Sequence, residues 1–268
     1  MNKTINTAIF IGIITIIVIM WTYYKLLKYN DKNLNLENIK WTESDATTHI
    51  IVTRYKEENI IKMLLPIINK KNVSIFIYNK GDEMNNEEFE GIDNIRIIKI
   101  RNLGWDSYPY VKHVIDNYYN LPDYIYLVHA SAIYLEHKKK LYLELINKSK
   151  MLSKDDYYYY GGEILYVPLD FTINKYIATT TLNKSNHKME ISKIRPLKKW
   201  IKTKIEEIPK SYMEENTIKS NYYGMFMVSK RNILKYDRFW YKEILYEISV
   251  WQSEVNHYLE RSWFIFYN

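Results

Sequence analysis

The sequence predicts a single α/β domain with a mainly parallel sheet, preceded by one N-terminal transmembrane helix. Three observations lead to this prediction. The middle of roughly the first thirty residues is almost wholly apolar. Farther along, short continuous apolar runs alternate with helix-length amphipathic runs, which is typical of βαβ units around a buried parallel sheet. Gly81 and Gly104 follow two of the short apolar runs, where the chain must turn.

The predicted membrane anchor occupies residues 1–28. An almost unbroken apolar stretch runs from Ile5 to Tyr24, with lysines on both sides, and about 20 apolar residues span the hydrocarbon core of a bilayer. A cleaved signal peptide usually has a shorter apolar region that ends in small residues. This stretch ends in Met-Trp-Thr-Tyr-Tyr, so an uncleaved, single-pass anchor is favoured. The flanking lysines differ too little in number to decide its orientation.

We expect the full-length protein to stay with membranes through carbonate and high-salt washes. Burial of about 20 apolar residues in lipid is too favourable for salt or alkali to reverse. Deletion of residues 1–28 is expected to give a soluble, folded protein. Fractionation of both forms measures this, and release of the full-length protein into either wash contradicts the anchor.

Composition limits the remaining chemistry. Residues 29–47, rich in asparagine and lysine, are predicted to form a polar stalk, which leaves residues 48–268 for one α/β domain. The chain has no cysteine, which excludes disulfides, thiolate nucleophiles and cysteine-bound zinc. Its formal net charge of +7 favours phosphate-bearing ligands or anionic lipid. Because no cluster interleaves aromatic and basic residues as RNA-binding modules do, nucleic acid is not an expected partner.

The first half of the domain alternates strands with helices. Strands are predicted where β-branched and aromatic residues form continuous runs, at residues 49–55, 73–78, 95–100 and 124–128. Amphipathic periodicity predicts helices at residues 57–68 and 108–119. The carboxyl ends of parallel strands meet at one edge of a sheet. The residues that follow these strands are therefore predicted to surround one cleft.

The second half is less regular. A helix at residues 135–152 is followed by extended chain at 157–167, a late strand at 225–229, and helices at 237–250 and 254–266. A further helix at 196–208 carries lysines opposite an apolar face. That face either packs on the core or rests on anionic lipid.

Several short motifs resemble known families. The first set consists of Thr53-Arg-Tyr-Lys-Glu57, Tyr78-Asn-Lys-Gly81, Asn102-Leu-Gly-Trp-Asp106, Asp116-Asn-Tyr-Tyr-Asn-Leu-Pro-Asp123 and His129-Ala-Ser131. In order and spacing these resemble an uncharacterised family of fungi and large DNA viruses, domain of unknown function 3431. The second set consists of Tyr223-Gly-Met-Phe-Met-Val, Phe239-Trp-Tyr-Lys-Glu-Ile-Leu and His257-Tyr-Leu-Glu-Arg-Ser-Trp263. It is similar to the C-terminal pattern of bacterial capsule-type glycosyltransferases.

Both resemblances imply a nucleotide-diphospho-sugar transferase fold (GT-A-like), with a nucleotide-sugar site at the ends of the first four strands. The residues expected to bind substrate are Arg54, Asn79, Lys80, Gly81, Asn102, Gly104, His129, Ser131, His257 and Arg261. The residues expected to act in catalysis are Asp106 and Glu260.

Residue chemistry leaves alternatives at most of these positions. Arg54 and Lys80 either contact phosphate or are solvated loop charges. Asp106 either binds sugar hydroxyls or a metal ion, or caps the helix that follows it. His257, Glu260 and Arg261 share one helix face. Glu260 is either the base that deprotonates an acceptor hydroxyl or one member of an intrahelical ion-pair network.

The resemblance also implies a divalent cation, Mg²⁺ or Mn²⁺, but the expected Asp-any-Asp motif is replaced by His129-Ala-Ser131. His129 could bind a softer metal ion together with His137, donate to phosphate, or bond to a neighbouring carbonyl. Asp155 and Asp156 could supply the missing carboxylates, or form a turn. The metal requirement is therefore in doubt.

The sequence thus predicts a membrane-anchored glycosyltransferase that moves a sugar from a nucleotide-sugar donor to a glycan, protein or lipid acceptor. The alternative is a non-catalytic, membrane-tethered module of the same fold that binds a glycan or a nucleotide.

Overall fold

The computed structural model describes residues 44–154, 156–173, 189–221 and 223–268. The predicted anchor and most of the predicted stalk lie outside these residues. Within the described ranges, no helix is both long enough and apolar enough to cross a membrane.

A six-stranded mixed sheet forms the centre of the domain, with strand order β3-β2-β1-β4-β9-β5. Its strands are β1 (Thr48–Arg54), β2 (Val73–Asn79), β3 (Ile95–Lys99), β4 (Tyr124–His129), β5 (Tyr159–Tyr160) and β9 (Phe226–Ser229). Strands β1 to β4 are mutually parallel, whereas β9 is antiparallel to both of its neighbours. The predicted α/β class with a mainly parallel sheet is confirmed.

A second sheet has three antiparallel strands in the order β6-β8-β7. These are β6 (Ile164–Pro168), β7 (Met213–Glu214) and β8 (Thr217–Asn221). The described α-helices are α1 (Ile60–Leu64), α2 (Ser107–Asp116), α3 (Glu136–Asn147), α4 (Leu197–Ile201), α5 (Lys230–Ile233), α6 (Arg238–Ile248) and α7 (Glu254–Tyr267).

The main core lies between the central sheet and helices α2, α4, α6 and α7. Strand residues alternate between the two faces of a sheet, so Ile51 faces this core while Ile50 and Val52 face the other side, and all three are fully buried. Helices α1 and α3 meet outside the main core, where the Tyr142 hydroxyl donates to the backbone oxygen of Met63. Burial on both faces accounts for the continuous apolar runs of β1, β2 and β4.

Two predicted helices are shorter in the structure. The helix predicted at 57–68 is reduced to α1, because Asn59 takes a left-handed φ of 55° and because Pro66 has no amide hydrogen to donate to the next helical hydrogen bond. The helix predicted at 196–208 is reduced to α4. Its apolar residues Leu197, Trp200 and Ile201 are fully buried, which agrees with the core-packing alternative.

The strand order creates a topological switch point. From β1 the chain moves to β2 and β3 on one side of the sheet, and it returns to β4 on the other side. Ligands of open α/β sheets bind in the crevice at the carboxyl ends of such neighbouring strands. Here Thr53 of β1 and His129 of β4 are register partners at that edge. Because β9 runs in the opposite direction, the residues just before it lie at the same edge.

Candidate functional site

A cleft of about 280 Å³ opens at this switch point. Its walls come from the segments that follow β1, β2, β3 and β4, together with the segment between α6 and α7. The lining residues are Thr53, Tyr55, Glu57, Lys80, Asn102, Trp105, Asp106, His129, Ser131 and Trp251. Lys80, Asn102, Asp106, His129 and Ser131 were all predicted site residues, and the structure brings them together.

The turn before α2 presents Asp106 to the cleft. Gly104 and Trp105 both have left-handed φ angles, 53° and 43°. A Cβ on Gly104 would lie 2.6 Å from the Ile248 backbone oxygen and 2.7 Å from the Tyr108 Cβ, so only glycine fits here. The Gly104 amide donates to the Val250 oxygen at 2.9 Å. Gly104 therefore positions its neighbours and does not itself line the cleft.

Asp106, His129 and Lys138 form a chain of polar contacts. An Asp106 carboxylate oxygen lies 3.2 Å from His129 Nε2, and Lys138 Nζ lies 3.0 Å from His129 Nδ1 and 3.4 Å from the Ser131 hydroxyl. A protonated lysine can only donate, so His129 Nδ1 accepts and Nε2 carries the imidazole proton. The Asp106 side chain is 39% exposed, which leaves its carboxylate accessible from the cleft.

The capping alternative for Asp106 is wrong. Asp106 occupies the N-cap position, yet its side chain accepts no capping bond from the described first turn of α2. Burial lowers the pKa of His129 to about 4, with Lys138 acting in the same direction and the Asp106 carboxylate opposing it. His129 is therefore neutral at pH 7, and its Nε2 lies beside the Asp106 carboxylate without forming a hydrogen bond among the described residues.

His137 does not accompany His129. Its ring lies against Tyr223, with 4.6 Å between ring centroids, and it lines a separate hollow. Asp156 lies near Tyr124, at the opposite end of β4, where burial raises the tyrosine pKa and the Asp156 charge adds to this; Asp155 is outside the described residues. The residue that contacts His129 is therefore Lys138 and not His137. The sequence does not predict Lys138 as a site residue.

Lys80 is a buried cation at the cleft wall. Its ammonium donates to the Trp105 backbone oxygen at 2.6 Å, which joins the loop after β2 to the turn before α2. Burial lowers the pKa of Lys80 to about 8, while the nearby Asp106 and Glu57 carboxylates act to raise it. The solvated-charge alternative is wrong for Lys80, which is only 7% exposed.

Arg54 and Asn79 are also buried, but they organise a loop. The Arg54 guanidinium donates to uncharged oxygens of Glu57, Asn79 and Asp82. Asn79 in turn accepts from the Gly81 amide. Arg54, Asn79 and Gly81, all predicted to bind substrate, do not line the cleft at the switch point. Arg54 instead lines a neighbouring hollow of about 300 Å³.

Gly81 permits a close approach of two loops. A Cβ at this position would lie 1.4 Å from the Tyr55 backbone oxygen, well inside van der Waals contact. The loops after β1 and β2 can therefore touch only because residue 81 is glycine.

Glu260 of α7 reaches the same region from the second half of the chain. Gly224, just before β9, lies between Glu260 and His129: a Cβ on Gly224 would be 3.6 Å from His129 Nε2 and 3.9 Å from the Glu260 Cγ. Burial raises the pKa of Glu260; Arg261 opposes this and Asp106 reinforces it. The side chain is 32% exposed. Glu260 can therefore exchange protons at the edge of the cleft.

The other two predicted residues of α7 support the site from behind. The Arg261 guanidinium lies 4.0 Å from the Phe171 ring centroid, and it is 3.6 Å from the Glu260 carboxylate. The His257 ring contacts Trp105 edge-on, with 4.5 Å between centroids. Neither Arg261 nor His257 lines the cleft, so both act as packing residues.

The donor set does not fit a hard divalent cation. Mg²⁺ and Mn²⁺ prefer several oxygen ligands. Among the described residues, no group of three or more histidine, aspartate or glutamate side chains is placed to hold a metal ion. Instead, the ammonium groups of Lys80 and Lys138 lie near Asp106 and His129. The structure therefore departs from the metal site that the resemblance implies.

Comparison with known proteins gives a family without an assigned activity. A family model described as a protein of unknown function, DUF3431, matches residues 36–268. No curated protein and no solved structure matches the chain.

Proposed function

This chain belongs to the DUF3431 family of proteins of unknown function, and we propose that it is a membrane-anchored glycosyltransferase with a GT-A-like fold. It transfers a sugar from a nucleotide-sugar donor to a glycan, protein or lipid acceptor. The observation that carries this proposal is the polar cleft at the β1–β4 switch point, where an accessible Asp106 carboxylate lies 3.2 Å from Nε2 of a neutral His129. A crevice of this kind is where open α/β sheets bind nucleotides.

In the proposed reaction an acceptor hydroxyl oxygen bonds to the anomeric carbon of the donor sugar. The bond between that carbon and the diphosphate oxygen breaks, and the nucleoside diphosphate leaves with the electron pair. Glu260 takes the hydroxyl proton, a role that suits a carboxylate whose pKa is raised. Asp106 accepts hydrogen bonds from donor hydroxyls, and the rings of Trp105 and Trp251 at the cleft offer stacking surfaces.

The second candidate is a non-catalytic module that binds a nucleotide or a glycan. The metal-ligand set that the resemblance implies is missing among the described residues, and this favours the second candidate. The two differ in turnover: a transferase releases nucleoside diphosphate in the presence of an acceptor, whereas a binding module retains the intact nucleotide sugar.

We expect Asp106→Asn to weaken nucleotide-sugar binding by about tenfold or more, because a charge-assisted hydrogen bond contributes roughly 1.5–3 kcal/mol. Stability should change by less than about 1 kcal/mol, since the amide has the same size and no capping bond is lost. Calorimetric titration against a panel of nucleotide sugars measures the first effect, and thermal unfolding measures the second.

Asp116→Asn is the matched control. Asp116 ends the helix that Asp106 precedes, is 48% exposed and forms an i, i+4 ion pair with Lys112, so loss of its charge should leave affinity unchanged. Unaltered affinity in both Asp106→Asn and His129→Ala would overturn this location of the site. Failure of the unmodified protein to bind any nucleotide sugar would overturn the proposed function.

A further inference from the structure

We infer that Lys80 and Lys138 bind the diphosphate group of the donor in place of a metal ion. This inference rests on the proposed function and specifies how its site neutralises the leaving group. A transferred sugar leaves behind a diphosphate whose negative charge must be stabilised. In the implied metal-dependent arrangement, a divalent cation held by carboxylates supplies that stabilisation.

Both lysines lie close to the pair of Asp106 and His129. Lys80 lines the cleft, whereas Lys138 lies behind the cleft residues His129 and Ser131. Lys138, in the first turn of α3, bonds to His129 Nδ1 and reaches Ser131. Lys80, after β2, donates to the Trp105 backbone oxygen, and the negative charge of the nearby Asp106 acts to raise its pKa. Each bond uses one of the three ammonium hydrogens, so donors remain for an incoming anion.

Neither of these bonds neutralises the ammonium charge. Among the described residues, the acceptors of Lys80 and Lys138 are a backbone carbonyl, an imidazole and a hydroxyl, none of which carries a negative charge. Lys80 is only 7% exposed, and a buried cation without a directly bonded counter-ion is costly. Lys138 is partly exposed, and a diphosphate would supply a counter-ion to both lysines.

Three carboxylates share the region. Asp106 lies 3.2 Å from His129 Nε2, and Glu57 accepts from the amides of Tyr55 and Lys56. Glu260 lies 3.6 Å from the Arg261 guanidinium, and it is close enough to Lys138 for their charges to interact.

Proton uptake on binding gives a second test of direct contact between Lys80 and the diphosphate. Lys80 has a pKa lowered to about 8 by burial. The titratable groups that face it are the Asp106 carboxylate before α2, the Glu57 carboxylate after β1 and the neutral ring of His129 in β4. A bound diphosphate adds negative charge beside Lys80 and favours its protonated form. Binding at pH 8 should therefore be accompanied by proton uptake, and affinity should fall as the pH rises above 8.

The experiment titrates the full-length protein, in non-ionic detergent, with UDP, GDP and inorganic pyrophosphate, each in EDTA and in excess Mn²⁺. We expect affinity for at least one nucleoside diphosphate to be the same within twofold in EDTA and in Mn²⁺. Lys80→Met and Lys138→Met should each weaken binding by about tenfold or more. Lys138→Arg should recover most of the loss, and Lys112→Met, on the exposed face of α2, should leave affinity unchanged. Proton uptake at pH 8, from titrations in buffers of different ionisation enthalpy, should disappear in Lys80→Met.

The ligands separate the sources of the diphosphate. Tighter binding of a nucleoside diphosphate than of pyrophosphate supports a nucleotide donor, and equal binding of both supports recognition of the diphosphate alone. Loss of binding in EDTA overturns the inference, as does unchanged affinity in both methionine variants with proton uptake intact. Binding in EDTA without any sugar transfer leaves this inference standing and counts against the proposed function. Sugar transfer that requires Mn²⁺, with no diphosphate binding in EDTA, supports the proposed function and overturns this inference.

Discussion

Between pH 6.5 and pH 5 the folded domain should lose at least about 5 kcal/mol of its free energy of unfolding. Three buried histidines contribute most of this: His113, His129 and His257, which are 0%, 4% and 3% exposed. The partly buried His49, whose pKa burial lowers to about 4, acts in the same direction. Burial lowers the pKa of His113 and of His257 to about 3, and that of His129 to about 4, from an ordinary value of 6.5. In the fold all three stay neutral down to about pH 4.

The sign follows from proton binding. Below pH 6.5 the unfolded chain takes up protons at these histidines while the folded chain does not, so acid favours unfolding. Each such proton changes stability by about 1.4 kcal/mol per pH unit, which gives a slope of about 4 kcal/mol per pH unit for three. The stabilisation is complete above pH 6.5 and falls as the pH approaches 4. The free energy of unfolding of most domains is only about 5–15 kcal/mol, so unfolding near pH 5 is expected.

His113 shows why the neutral form is required. Its Nδ1 lies 2.9 Å from the Tyr78 hydroxyl, and its Nε2 lies 2.9 Å from His49 Nδ1. One neutral arrangement satisfies both contacts: the tyrosine donates to Nδ1, and Nε2–H donates to His49. A second proton on His113 would place a positive charge in a site with no access to water and beside the His49 ring, and burial therefore lowers the pKa.

Urea unfolding at intervals between pH 7 and pH 5 measures the slope for the protein that lacks residues 1–28. His113→Gln removes one titrating group, so its slope should be smaller by about 1.4 kcal/mol per pH unit, although its stability at pH 7 also falls. Ring signals of the three histidines in NMR spectra should not titrate above pH 5. Equal slopes in the variant and the unmodified protein would rule out His113 as a source of the acid sensitivity.

Glu254→Gln should destabilise the domain by about 3 kcal/mol. Glu254 begins α7, and its carboxylate is fully buried. One oxygen accepts from the Ile173 amide at 2.8 Å, the other accepts from the Ser192 amide at 2.9 Å, and the Arg195 side chain lies 3.0 Å away. A glutamine amide presents hydrogens to at least one of these donors, so a buried amide group loses its acceptor.

Chemical denaturation at pH 7 measures this loss. Glu243→Gln, on the exposed face of α6, is the control and should change stability by less than about 0.5 kcal/mol. A loss in Glu254→Gln no larger than in that control would show that the carboxylate charge has no structural role.

The sequence predicts the central sheet well because β1, β2 and β4 are buried on both faces. Such strands must be continuously apolar, and continuous apolar runs are readable from the chain alone. The small sheet is missed at β7 and β8 for the opposite reason. Thr217-Ile-Lys-Ser-Asn221 is mostly polar, and its extended form depends on pairing with β6, which lies far away in the sequence. Propensity carries little information where tertiary pairing decides the conformation.

At the site, the rule that strand ends converge finds Lys80, Asn102, Asp106 and His129. The rule does not distinguish residues that face the cleft from those that build its loops. Arg54 follows β1 as the rule requires, yet its guanidinium is turned to backbone and amide oxygens. The rule does not identify Lys138, because this residue lies in a helix and not directly after a strand. Lys138 contacts His129 because a short 3₁₀ turn, Ala130–Ile133, joins β4 to α3 and brings the first turn of α3 back to the strand end.

The reversed direction of β9 bears on when a nascent chain can first hold a ligand. A chain that has left the ribosome only as far as β4 already contains Lys80, Asp106 and His129. It still lacks Gly224 and Glu260, which β9 and α7 add later at the same edge of the sheet. Domains that fold during synthesis begin from the N-terminal side. A nucleotide that requires the whole cleft therefore stabilises the protein only after the residues of α7 have emerged, and it cannot guide the earlier assembly of the parallel strands.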